Sequence, residues 1–279
     1  QQRKLALKVL TKRAKELGAA ALLHQILPLL TSPTLDLYER HLLVKVLDRI
    51  LFKLQSDIRP FIDKILMVVS PMLLDGDHFA RLEGQEIIAN LAKAAGLKTF
   101  LMTMRSGITS PDSDVRDTTS RCFAIVAQSL GIPAILPFLR AVCKSNSAEA
   151  RHTGAKTVQQ IAILMGVGVL PHLKNLISII EHNLDEPTTA NASGTAESTI
   201  STKHVQDMTA VALSLLADSS APYGIEAFRN VLKPLWEYTV RQGEEGKFKG
   251  WSRRAAEDMA KLQSELKEKS VESSKLQAT

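Results

Sequence analysis

Residues 150–171 read ARHTGAKTVQQIAILMGVGVLP. The first half sets Arg151, His152 and Lys156 among small and apolar residues. The run Ile161-Ala162-Ile163-Leu164 is wholly apolar and is followed, after Met165, by Gly166. The pattern predicts a helix that ends at Gly166 and a second helix that starts near Val169. Glycine suits a helix C-terminus that needs a left-handed residue. Pro171, expected in the first turn of the second helix, costs little there because first-turn amides lack intrahelical partners. One such pair cannot bury its own apolar stripe, so the stretch demands neighbours like itself.

Three sets of landmarks supply them. Arg40, Arg81, Arg116 and Arg151 each open a helical pattern, at separations of 41, 35 and 35 residues. Gly96, Gly131 and Gly166 lie 35 apart, each closing an apolar helix end, and Gly18 lies 78 before Gly96. Proline follows in QILPLL at Pro28, AILPFL at Pro137, GVLPHL at Pro171 and NVLKPLW at Pro234. A fixed period of this length marks a helical solenoid. The expected fold is all-α, a right-handed α-solenoid of HEAT repeats with about six helix pairs and a charged C-terminal helix. The pairs fall at 1–31, 34–75, 77–109, 112–145, 147–184 and 202–242. In this class an Arg or Lys early in the first helix commonly bonds an acid of the neighbouring repeat. That structural role is favoured over RNA contact for most of the four arginines.

Two segments leave the pattern. Residues 187–201 (PTTANASGTAESTIS) are polar and small, and read as an insertion into the 1–242 repeat array. Residues 243–279 read as a flexible link and a charged helical tail. Its Ala255, Met259, Leu262 and Leu266 step by 4, 3 and 4. That narrow stripe suits capping of the array or pairing with one helix.

Composition agrees with a helical protein. The chain of 279 residues is 45% hydrophobic but only 5% aromatic, with 14 Gly and 11 Pro. Its net charge of +6 permits an anionic partner without requiring one. Cys122 and Cys143 form neither a metal motif nor a disulfide framework and read as buried thiols. The N-terminus QQRKLALKVLTKRAK is charged throughout and is not a secretory signal pattern. No apolar run approaches about 18 residues, so no membrane span is expected.

No catalytic constellation is present in the sequence. The seven histidines are scattered, and phosphate-loop, nucleophile-elbow and dinucleotide motifs are missing. Asp75 and Asp77 in DGDH resemble the start of a calcium loop, but the remaining ligands do not follow, so a solvated turn is expected. Glu83 and Glu86 are assigned to a helix surface. Neither a cofactor nor a metal nor a small-molecule substrate is expected. What remains is surface, and basic residues on it could track a phosphate backbone. The candidates are Arg116, Arg151, Lys156, Lys203 and His204.

Longer motifs narrow the reading: QILPLLTSPTL (25–35), ERHLLVKVLDRIL (39–51), EIIANLAKAAGL (86–97), TTSRCFAIVAQSLGIPAILPFLRAVCKS (118–145), ARHTGAKTVQQIAILMG (150–166), APYGIEAF and VLKPLW (221–236). In this order they resemble the large HEAT-repeat subunit of splicing factor 3b, part of the U2 small nuclear ribonucleoprotein. The resemblance covers about five-sixths of the chain. It implies the N-terminal part of that family's array and a non-enzymatic scaffold in the nucleus. Its implied partners are the other SF3b subunits, the pre-mRNA intron near the branch site, the U2 small nuclear RNA and splicing helicases. The family's helix pairs matching 112–210 form a basic surface near the downstream intron. Carried over by motif, its RNA- or partner-binding residues fall at Arg116, His152 and Lys156, with His204 and Lys203 after the insertion. Asp117 stands where the family often has a neutral polar residue. The family's adenosine pocket lies in later repeats and is expected to be missing from this chain. The competing reading is a protein-only HEAT adaptor without RNA contact.

Overall fold

The structure, a computed structural model, describes residues 2–32, 34–184 and 202–244, together with Lys261 and Ser264. The expected insertion at 187–201 and most of the expected tail lie outside the described residues. Thirteen α-helices follow one another among them, joined in places by 3-10 turns. They are α1 (Gln2–Lys12), α2 (Ala14–Leu17), α3 (Ala19–Leu30), α4 (Leu37–Leu54), α5 (Ile62–Val69), α6 (His78–Ala95), α7 (Leu97–Ile108), α8 (Ser113–Leu130), α9 (Ile132–Cys143), α10 (Ala148–Met165), α11 (Leu173–Ile180), α12 (Thr202–Ser220) and α13 (Leu232–Glu244). The described residues contain no strand.

The chain forms two compact units, residues 1–135 and 136–279. In the first, the leading helices α4, α6 and α8 pack side by side, and α3, α5 and α7 return behind them. The repeat of buried positions explains the layering. Along α6, Ala80, Gly84, Ile87, Ile88, Leu91, Ala92 and Ala95 form one stripe at helical spacing. The middle of α8, Cys122 to Ala127, is buried on every side. Phe100 and Phe123 fill the space between helices, and each such side chain contributes roughly 1.5–3 kcal/mol by burial. In the second unit α10 packs along α12, with α11 against both. Ser219 Oγ donates to Ala162 O at 3.2 Å, and the Tyr238 hydroxyl donates to Asp207, tying α13 to α12.

The turns are of two kinds. Gly18, Gly96 and Gly131 have φ of 78°, 84° and 93° with extended ψ, and the next helix begins at once. Gly166 differs, with φ 51° and ψ −128°. A 3-10 segment, Gly166–His172, follows it before α11 starts at Leu173. The second helix therefore starts later than Val169, and Pro171 precedes α11 instead of lying in its first turn. Pro28 and Pro137 also depart from expectation, because they sit well inside α3 and α9. Both are exposed, so solvent can satisfy the carbonyls that lack a helical donor.

The same turn recurs at Gln55, with φ 47° and ψ −116°, followed by a 3-10 segment Gln55–Phe61 that contains Pro60. Gln55 is thus the missing member of the glycine series between Gly18 and Gly96. A side chain at this backbone geometry is strained. Gln55→Gly is expected to raise stability by about 1 kcal/mol, read as an upward shift of the denaturation midpoint at unchanged slope.

An 18-residue window within Ala148–Asn183 reaches a mean hydropathy of 1.6, enough by length and composition for a membrane span. The stretch contains the Gly166 turn and folds as α10 and α11, two separate helices. Cys122 and Cys143 are free and buried, as expected. Burial pushes both thiols up to about 12, which leaves them as poor nucleophiles at neutral pH.

Candidate functional site

The recurring arginines have one local geometry. Arg81 donates from Nη1 to the carbonyls of Asp75 and Gly76 at 2.6 and 3.0 Å. Arg116 does the same to Ser110 and Pro111 at 2.6 and 2.9 Å, and Arg151 to Ser145 and Asn146 at 2.8 and 3.1 Å. Four residues before each arginine stands the helix cap: Asp77, Asp112 or Ser147, whose side chain accepts from first-turn amides. A cation near a helix N-terminus opposes the helix dipole, so the loop carbonyls are what hold it there. The expected bond is to an acid of a neighbouring repeat; Arg81 and Arg116 instead clamp the loop that precedes their own helix, and Arg151 makes the same clamp. Arg40 of the same series has Nη1 4.0 Å from Asp75 Oδ2.

This clamp separates the candidate residues. Arg116, in the first unit, is only 5% exposed, and Arg151, in the second, 9%. Their guanidinium donors face the loops and little of either side chain reaches solvent, which favours the structural role over phosphate contact for both. Asp117 next to Arg116 is half-buried.

In the second unit α10 is buried on nearly all sides. Between Glu149 and Gln160 only Glu149, His152, Lys156 and Gln159 reach solvent, at steps of 3, 4 and 3. These four form a single ridge, continued by exposed Ile163. His152 and Lys156 are thus brought onto one line, one turn apart. Gln159 extends that line. Its signal in the sequence is its position three residues after Lys156. Lys203 and His204 lie in the first turn of α12, half-buried and exposed respectively. Leu184 O accepts from Gln206 Nε2 at 3.3 Å, and Thr209 Oγ1 from Asn183 at 3.2 Å, so the end of the preceding pair holds this part of α12. His152, Lys156, Lys203 and His204 therefore belong to two adjoining helices of one unit. The ridge thus sets Lys156, His152 and Gln159 in line with the carboxylate-bearing Glu149.

The acids have structural work. Asp77 caps α6, and Asp75 Oδ1 accepts from the Asp77 amide at 2.9 Å. Glu83, expected on the helix surface, is instead mostly enclosed, with its carboxylate against the imidazole Nδ1 of His41 on α4. Burial pushes its carboxyl up, against the pull of His41 and Lys45. Asn90 donates to Asp48 at 2.6 Å seven residues further along the same two helices. Among the described residues no cluster of three or more His, Cys, Asp or Glu is placed to hold a metal ion.

Stacked helix pairs with a glycine turn and a capped, arginine-clamped first helix define an all-α repeat protein of the HEAT and armadillo class. The chain is 54% identical over 240 residues to the U2 snRNP component prp10 of Schizosaccharomyces pombe, covering 86% of this chain and 19% of that protein. It is 43% identical over 236 residues to the U2 snRNP component HSH155 of Saccharomyces cerevisiae, covering 84% of this chain and 23% of that protein. Over this segment the chain is a close homologue of the SF3b subunit 1 proteins. It spans about a fifth of the length of these relatives. No family model matches the chain. Among solved structures, an engineered protein superposes with a TM-score of 0.38 at 20% identity, covering 86% of this chain and 97% of its own. A designed armadillo repeat protein does so with 0.38 at 16%, covering 86% and 99%.

Proposed function

We propose that the chain is a non-catalytic scaffold segment of the spliceosome, acting in the nucleus with the U2 snRNP where it engages the intron branch site. The identity of 54% and 43% to two U2 snRNP components carries this reading. On it, the partners are other SF3b subunits, U2 snRNA, the intron near the branch site and splicing helicases. The ridge of His152, Lys156 and Gln159, with Lys203 and His204 on the adjoining helix, is the surface that meets phosphate or a partner. Backbone contacts of this kind are electrostatic and weaken with salt.

Lys156→Glu is the test of the ridge. The side chain is on the solvent line of α10, so the variant is expected to keep its helical content and melting cooperativity. Affinity for single-stranded intron RNA should fall about tenfold at low salt. The slope of log affinity against log salt should shrink by roughly 0.7, the share of one phosphate that is no longer neutralised. A variant that binds with the parent's affinity and slope would remove Lys156 from the interface.

A further inference from the structure

We propose that the outer face of α4 and α6 in the first unit docks an acidic amphipathic helix of a partner protein. The exposed residues described on α4 are Tyr38, Lys45, Arg49 and Phe52, which follow one another at steps of 7, 4 and 3 and so share one face. On α6 the exposed Phe79, Leu82 and Glu86 step by 3 and 4 in the same way. The two lines are neighbours, because the His41–Glu83 and Asp48–Asn90 contacts bridge the helices alongside them. Tyr38 and Phe79 each stand two residues before an arginine of the repeating series, so they fill the same place in adjacent layers. In α8 that place is held by Asp114, and the apolar patch ends there. Phe52 and Phe79 are 72% and 69% exposed. Large rings left open to this extent are the material of an interface core. The face looks away from α3 and α5, which pack behind α4 and α6, so a further layer stacked on the array would leave it open.

Charge selects the occupant. Lys45 and Arg49 stand in the α4 line between its two rings, and Lys93 is exposed on α6. Against them, Glu86 is the one exposed acid among the described residues of either helix. Two further acids are turned into the seam between the helices. Glu83 lies against His41, with Lys45 near enough to favour its ionised form, and Asp48 accepts from Asn90. The face is therefore cationic and apolar at once. Its complement is a stripe of apolar side chains flanked by Asp and Glu. Lysine and arginine stems lie readily along apolar neighbours, which suits such a mixed surface. Single-stranded RNA fits it less well. Successive bases need rings in a row, whereas Tyr38 and Phe52 are separated by 14 residues of α4, about 21 Å. Leu82, in the middle of the α6 line, offers a base nothing to stack on.

The test measures binding of the full chain to a fluorescein-labelled synthetic peptide of Leu-Glu-Glu-Leu-Glu-Glu-Glu repeats, read by fluorescence anisotropy. A peptide of the same composition, with its leucines scattered around the helix, is the comparison. The repeat peptide is expected to bind about tenfold more tightly than the scattered one. Arg49→Glu, Phe52→Ser and Phe79→Ser should each weaken its binding about tenfold, a loss of the size that marks a hot-spot residue. All three side chains are exposed, so the far-ultraviolet circular dichroism of the variants should match the parent's. Lys156→Glu should leave peptide binding as it is, which separates this face from the α10 ridge. Equal binding of the two peptides, or binding that none of the three substitutions weakens, overturns the proposal. So does tighter binding of a labelled oligouridylate that Phe52→Ser and Phe79→Ser abolish, which would assign the face to RNA. Self-association of the parent chain that the same substitutions reverse would assign it to a second copy and overturns the proposal as well.

Discussion

Arg116→Ala is expected to lower folding stability by about 3 kcal/mol, although the groups that hold its guanidinium are uncharged. The guanidinium donates to the carbonyls of Ser110 and Pro111 from an almost fully buried position. Hydrogen bonds to a charged group are worth roughly 1.5–3 kcal/mol each, and truncation leaves two carbonyls without their donor. Removing the buried cation relieves a desolvation penalty, which is why the expectation is below the sum of two such bonds. Arg116→Lys should recover part of the stability, because an ammonium can reach one carbonyl but lacks the planar fork. RNA affinity per folded molecule should not change. Chemical denaturation of the three proteins, with binding measured under conditions where all are folded, checks both statements. Unchanged stability together with weakened binding would return Arg116 to the interface.

Gly154→Ala should destabilise by about 2 kcal/mol, opposite in sign to the usual effect of this change. Within an exposed helix, alanine gains roughly 0.5–1 kcal/mol over glycine. Here a Cβ would lie 2.5 Å from Cys143 Sγ, 3.3 Å from Val142 Cγ1 and 3.4 Å from the Cys143 amide nitrogen. Gly154 is where α10 and the end of α9 approach closely, and overpacking such a contact costs about 1–3 kcal/mol. Cys143→Ala removes the sulfur. The double variant should therefore be more stable than additivity allows, by more than about 1 kcal/mol in a thermodynamic cycle. Strict additivity would mean that the helices simply move apart.

These two residues show where the sequence is informative. The period of the arginines is legible, and it does mark the start of each first helix. Their role is not, because a bond to a backbone carbonyl leaves no complementary residue type in the sequence. An acid partner would leave one, and Arg40 with Asp75 is the case that looks that way. The helix-closing glycines are likewise readable at Gly96, Gly131 and Gly166. Gln55 is not, since its backbone conformation is forced by the fold against its own preference. Pro171 falls a few residues away from its expected place for a related reason: the turn after Gly166 continues as a 3-10 segment, which has no hydrophobic period of its own.

Of the candidate site, the ridge is half visible in the sequence. Lys156 stands out as a charge among small and apolar residues, and His152 lies four residues before it, so both share a face. Which face is open cannot be read from α10 alone, because its neighbours bury almost all of it. Glu83 shows the converse. Its isolation from any apolar motif suggests a surface role, yet α4 brings His41 against it.

Recovery of U2 small nuclear RNA with the chain is the test of its membership in the U2 snRNP. The tagged full chain would be captured from splicing-competent nuclear extract, and U2 RNA quantified against the other small nuclear RNAs before and after a high-salt wash. Selective U2 enrichment is expected, and Lys156→Glu should leave it in place, since the loss of one ridge residue should not release the scaffold from its particle. Recovery of folded chain with U2 RNA at background level would contradict it.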